Sequence, residues 1–173
     1  MSHLSKLIES EHSKKQVLKI VKYVGKDQSR FDELLKITLG KDLRLSQCAA
    51  WSLSYCVEAH PELAGKNLNL IIKKLINDKH PAVQRSFAKI LSLIEIPEKS
   101  ESALVDNCFL IVNSIDAPIA NRAFAAYAIE KVCRKYPEMY QELISSLQAH
   151  SEIASPGMKA VMRKILKNQH RFL

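Results

Sequence analysis

Residues 77–91 read NDKHPAVQRSFAKIL. Asp78 and Pro81 are turn and helix-start residues. Val83, Ala88 and Leu91 then follow at helical spacing, so the stretch is a joint leading into an amphipathic helix. A lone joint would say little, whereas a recurring joint sets the architecture, and this one recurs. Asp42 is followed by Leu45 and Ala49, and Asp116 by Ile119 and Ala123, at identical spacings 74 residues apart with Asp78 near the midpoint. A period of about 37 residues results, which is the range of helical repeat arrays. A longer match supports it. AAWSLSYCVEAHPEL (49–63) lies over AAYAIEKVCRKYPEM (125–139), pairing Trp51 with Tyr127, Leu53 with Ile129, Cys56 with Val132 and Pro61 with Pro137.

Each period holds two helices. Leu68, Ile71, Ile72, Leu75 and Ile76 form one apolar stripe. Leu104, Cys108, Ile111, Val112 and Ile115 form a second, and Met139, Tyr140, Leu143, Ile144 and Leu147 a third. Ahead of these, Val17, Leu18, Ile20, Val21 and Val24 make a helix that GKDQ (25–28) breaks, and Phe31, Leu34, Leu35 and Leu39 make its partner. A last helix carries Met158, Val161, Met162, Ile165 and Leu166 and is entered through ASPG (154–157), with Ser155 as N-cap and Pro156 in the first turn. No segment alternates with period 2 for long and no Asn-Gly or Asp-Gly hairpin signal occurs, so strands are not expected. The expected fold is all-α: about four helical-hairpin repeats (12–41, 42–79, 80–116 and 117–152) in a single domain over 1–173, with a terminal capping helix over 155–170. A helix pair cannot bury both of its faces alone, so the core runs between neighbours.

Composition agrees. Apolar content of 47% and charged content of 25% are ordinary for a globular chain, and only four glycines and six prolines are present among 173 residues. No apolar run approaches the roughly 20 residues that span a bilayer. The first ten residues lack the apolar core of a secretory signal, so a cytoplasmic location is expected. The net charge of +8 is uneven. Residues 1–41 carry 9 basic and 5 acidic groups and residues 153–173 carry 5 and none, while residues 80–116 carry 3 and 5. Basic ends around a middle that is not basic differ from the continuous stripe of a nucleic-acid groove.

NDKHPAVQRSFAKIL resembles the start of a HEAT repeat through Asp78, Pro81, Val83, Arg85, Ala88 and Leu91. In the next copy Pro118, Ile119, Arg122 and Ala123 carry the likeness. Arg85 stands one place, and Arg122 two places, after the family's arginine. The resemblance covers roughly residues 12–170 and implies an α-α superhelix of the HEAT or armadillo type. It also implies that aspartates and arginines at the joints tie neighbouring repeats together.

Motifs for catalysis are missing. No H-E-x-x-H, G-x-S-x-G, Walker A or G-x-G-x-x-G sequence is present. Cys48, Cys56, Cys108 and Cys133 form no C-x-x-C pair and sit in apolar helical patterns, as small buried hydrophobes do. Cys48 and Cys56 would lie about 12 Å apart along a helix, too far to share a zinc ion. Most of the six histidines, His3, His12, His60, His80, His150 and His170, fall at helix ends or turns. No metal and no cofactor is therefore expected.

Two functional classes remain open. The first is a non-catalytic scaffold or adaptor whose curved surface binds a protein or peptide. The second is a nucleic-acid-binding protein similar to the HEAT-like DNA-alkylation-repair glycosylases, which would need an aspartate beside an aromatic cleft. Candidate partner-binding residues are Trp51 and Tyr55, one helical turn apart, together with Lys73, Lys74, Arg85 and Arg122. Asp42, Asp78 and Asp116 are read as joint or helix-cap residues. The chain is expected to be a monomer or a weak homo-oligomer.

Overall fold

The computed structural model describes residues 2–78, 80–149, 151–152 and 154–169. Among these, every regular element is a helix: α1 (His3–Glu9), α2 (Lys14–Val24), α3 (Gln28–Thr38), α4 (Leu43–Ala59), α5 (Leu68–Asn77), α6 (Pro81–Leu93), α7 (Glu98–Asn113), α8 (Ile119–Cys133), α9 (Tyr140–Gln148) and α10 (Pro156–Gln169). Short 3₁₀ segments, Pro61–Asn67 and Pro137–Met139, lead into α5 and α9. Thus the matched Pro61 and Pro137 do the same work, each opening the turn between two helices. His150 and His170, the end of the expected terminal helix, lie outside the described residues.

The helix boundaries follow from local chemistry. Ser13, Asp27 and Asp42 each accept a hydrogen bond from a first-turn N–H, of Gln16, Arg30 and Leu45 respectively. Gly25 ends α2 with φ +51°, a conformation in which a Cβ is strained. Ser155 caps α10, accepting from the Met158 N–H at 3.3 Å.

Contacts divide the chain into two compact units, Met1–Ile94 and Glu95–Leu173. In the first, α4 is the hub and packs against α1, α2, α3 and α6. Ala49, Ala50, Leu53, Cys56 and Val57 are buried along it, together with Ser46, Ser52 and Ser54. Small residues on several faces of one helix let its neighbours approach from more than one side. The serine hydroxyls are answered locally: Ser46 donates to the Thr38 carbonyl, Ser52 to Cys48 and Ser54 to Trp51. Helix α1, not foreseen from the sequence, covers α2 and α4 with Leu4 and Ile8. Gln16 fastens it, donating to the Leu7 carbonyl and to Ser10 Oγ.

In the second unit α8 plays the matching part, packing against α7, α9 and α10. Ala125, Ala126, Ala128, Ile129, Val132 and Cys133 are buried, again on several faces. The sequence match of 49–63 with 125–139 therefore pairs the hub helix of one unit with the hub helix of the other. Two buried polar side chains tie the second hub to its neighbours. Arg122 donates from Nε to the Val112 carbonyl of α7 at 2.9 Å, and Glu130 accepts from Asn168 of α10 at 2.9 Å. Ile115, expected to extend the α7 stripe, instead lies past the helix end and is 63% exposed.

Candidate partner-binding groove

A groove of about 410 Å³ opens in the second unit between α7 and the start of α9. Its floor is apolar: Val105 and Phe109 from α7, Val132 from α8 and Met139 from the 3₁₀ turn, with Tyr136 alongside. Its rim is acidic, with Glu98, Glu101 and Asp106 from α7 and Glu138 and Glu142 from the opposite side. Among the described residues no Lys, Arg or His lines it.

The helical period explains this face. Glu98, Glu101, Val105 and Phe109 recur at steps of three or four along α7, so they share one stripe. That stripe lies beside the buried Leu104, Cys108, Ile111 and Val112 stripe. Glu98 and Glu101 also suit the first turn of α7, where the helix dipole favours negative charge.

Glu101 differs from the other four acids. It is only 5% exposed and its carboxylate accepts from Lys135 Nζ, which also donates to the Ile96 carbonyl at 2.9 Å. The hydrogen bond to Glu101 raises Lys135 above the usual lysine range, and a hydrogen bond from Tyr136 to the same carboxylate raises the tyrosine hydroxyl. Glu98, Asp106, Glu138 and Glu142 are exposed and make no ion pair among the described residues.

The residues singled out from the sequence sit elsewhere. Trp51 is half-buried, its ring 5.2 Å from that of His12. Tyr55, one turn on, carries the Lys89 ammonium 3.8 Å from its ring centroid, and Lys89 is paired with Glu58 at 2.6 Å. Lys74 is paired with Asp78 at 2.8 Å, while Lys73 and Arg85 are exposed. Arg122 is only 9% exposed and donates to the Val112 carbonyl at the α7 carboxyl end, which leaves little of it on the surface. Among the joint aspartates, Asp42 caps α4, and Asp78 links α5 to α6 by accepting from the His80 N–H at 2.7 Å. Asp116 stands at its joint without capping α8, whose N-cap position is Pro118.

The cysteines divide similarly. Cys56, Cys108 and Cys133 are buried, and burial pushes each thiol up to about 12. Cys48 is half-buried, with its sulfur 3.2 Å from His12 Nδ1 beside a cavity of about 180 Å³. Desolvation raises this thiol too, so it is not an activated thiolate.

A family model described as HEAT repeat domain matches residues 4–169. The chain belongs to the HEAT-repeat family. Its fold is the all-α HEAT solenoid class, as the joint at 77–91 implies. No curated protein and no solved structure matches the chain. Within this HEAT-repeat chain, Arg122 ties α8 to α7 through the Val112 carbonyl. No described helix is long and apolar enough to cross a membrane.

The groove was not legible from the apolar pattern alone. Its signals are the charge balance of 80–116, with 5 acidic against 3 basic groups, and the second stripe of α7. Glu138 and Glu142 join it only because α9 folds back beside α7.

Proposed function

We propose that this HEAT-repeat chain is a non-catalytic binding module that holds a protein or peptide segment. The observation that carries the reading is the groove of the second unit. It offers apolar surface from the half-buried Phe109 and Met139 over buried Val105 and Val132, in a volume of about 410 Å³. That volume falls within the range of sites that bury a ligand's side chains. HEAT helices are stiff, so such a groove is preorganised and little entropy is lost on its side when a segment docks. The nucleic-acid reading draws less support. Lys74 and Lys89 are engaged in ion pairs, and Arg122 is buried.

The test is a peptide array probed with the full chain and with Phe109→Ser and Met139→Asp variants, each checked for an unchanged melting transition. Peptides that bind the parent should lose most of their signal on both variants. Equal signal on all three proteins would remove the groove from the reading. Duplex DNA titrated in parallel should bind weakly. Tight binding that falls steeply with salt would favour the nucleic-acid alternative.

A further inference from the structure

The groove's charge pattern goes further than its shape and names the chemistry of its occupant. We infer that the groove takes a basic segment, one in which an apolar side chain is flanked by lysines or arginines. This rests on the binding-module reading above.

Four carboxylates, Glu98, Asp106, Glu138 and Glu142, line the groove without an ion pair among the described residues. The fifth, Glu101, is neutralised from behind by Lys135. An acidic segment would be repelled, and a neutral one would cover part of the rim while leaving its charges unanswered. Positive charge is what completes the site.

That charge has to be distributed. Among the described residues no three His, Cys, Asp or Glu side chains come close enough to hold one metal ion. The acids are set apart on two elements, α7 and the 3₁₀ turn with the first turn of α9, with apolar surface between them. No three of the described acids converge on one point, so one bound metal ion is not what answers them. Lysine or arginine side chains spaced along a segment can, with an apolar side chain between them covering Phe109 and Met139. A small polyamine would answer the charge and leave that floor wet, so the combination favours a peptide.

The experiment is fluorescence anisotropy of the full chain with three short labelled peptides. The first is an amphipathic sequence of leucines and lysines, the second replaces lysine by glutamine, and the third replaces it by glutamate. The lysine peptide should bind about tenfold tighter than the glutamine peptide at low salt, and the glutamate peptide should not bind. The tenfold gap should close in the Glu138→Gln/Glu142→Gln double variant, whose changes lie on exposed positions, and should shrink as salt is raised. Equal binding of the lysine and glutamine peptides, both lost on Phe109→Ser or Met139→Asp, would overturn the charge selection and leave the groove reading intact. Indifference of every peptide to the floor variants would overturn both. Spermine competing as well as the lysine peptide would show that charge alone is read and would also overturn the proposal. So would light scattering that shows the unliganded chain self-associating through the groove, with the double variant monomeric, since the occupant would then be a second copy.

Discussion

Arg122 and Val112 are joined by a hydrogen bond that closes the end of α7 onto α8: Nε lies 2.9 Å from the carbonyl oxygen, with the guanidinium buried. The last carbonyls of a helix have no intrahelical donor, so a cation placed there satisfies both a hydrogen bond and the helix dipole. Arg122→Ala should therefore lower stability by about 2–3 kcal/mol in urea unfolding, through the lost charged hydrogen bond and the unanswered carbonyl. Arg85→Ala, at an exposed position of α6, should change it by less than about 0.5 kcal/mol. Similar losses from the two would contradict the assignment.

The joint aspartates separate in the same way. Asp42→Ala removes an N-cap acceptor from the Leu45 N–H and should cost about 1 kcal/mol. Asp116→Ala removes no cap and should be close to neutral. Urea midpoints of the two variants, compared at one pH, decide the matter. A neutral Asp42→Ala would mean that the cap bond contributes nothing.

Lys135 and Glu101 form a pair with one exposed and one buried member. Lys135→Ala should cost about 1–2 kcal/mol, less than a fully buried pair because solvent reaches the lysine. Adding Glu101→Gln should recover part of the loss, since the carboxylate left without its cation is then gone. A double-mutant cycle measures this coupling, and additive losses would exclude it.

The cysteines give a pH dependence. In the unfolded chain thiols ionise near 8.5 or so. In the folded chain Cys56, Cys108 and Cys133 are pushed up to about 12 by burial. The native state thus keeps protons that the unfolded state has lost, so this contribution is full below the unfolded value and disappears as pH rises through the window. Tyr140, also pushed up to about 12 by desolvation, acts with the same sign. The urea midpoint should fall between pH 8 and pH 11, on the order of the window these values define. In the native state a thiol reagent should modify Cys48 well before the three buried cysteines. Uniform labelling of all four would show that the helices carrying the buried cysteines open readily.

Much of this was readable in advance because helix pairs announce themselves. The stripes of α5, α7, α9 and α10, the break at Gly25 and the cap at Asp42 are local, and local rules placed them. The match of Trp51 with Tyr127 also carried through, since both rings are half-buried on hub helices. Other features depend on tertiary neighbours. Helix α1 is seven residues long with two buried leucine or isoleucine anchors, too short for a period to show. Arg122 looked like a surface cation because arginine usually is one, and only the carbonyl of Val112 gives it an interior role. The groove escaped because its two acidic rims are 32 to 44 residues apart in the sequence, and each alone reads as a solvated helix face.

Helix α1 has a consequence for assembly. Leu4 is 0% and Ile8 2% exposed, because they pack on apolar surface of α2 and α4. An uncovered apolar face of a stacked helical array favours association with another molecule. By occupying that face, α1 keeps its apolar surface out of water. A chain shortened to begin at Ser13 should elute at a mass that rises with concentration, each molecule recruiting a neighbour to replace the missing seven-residue lid.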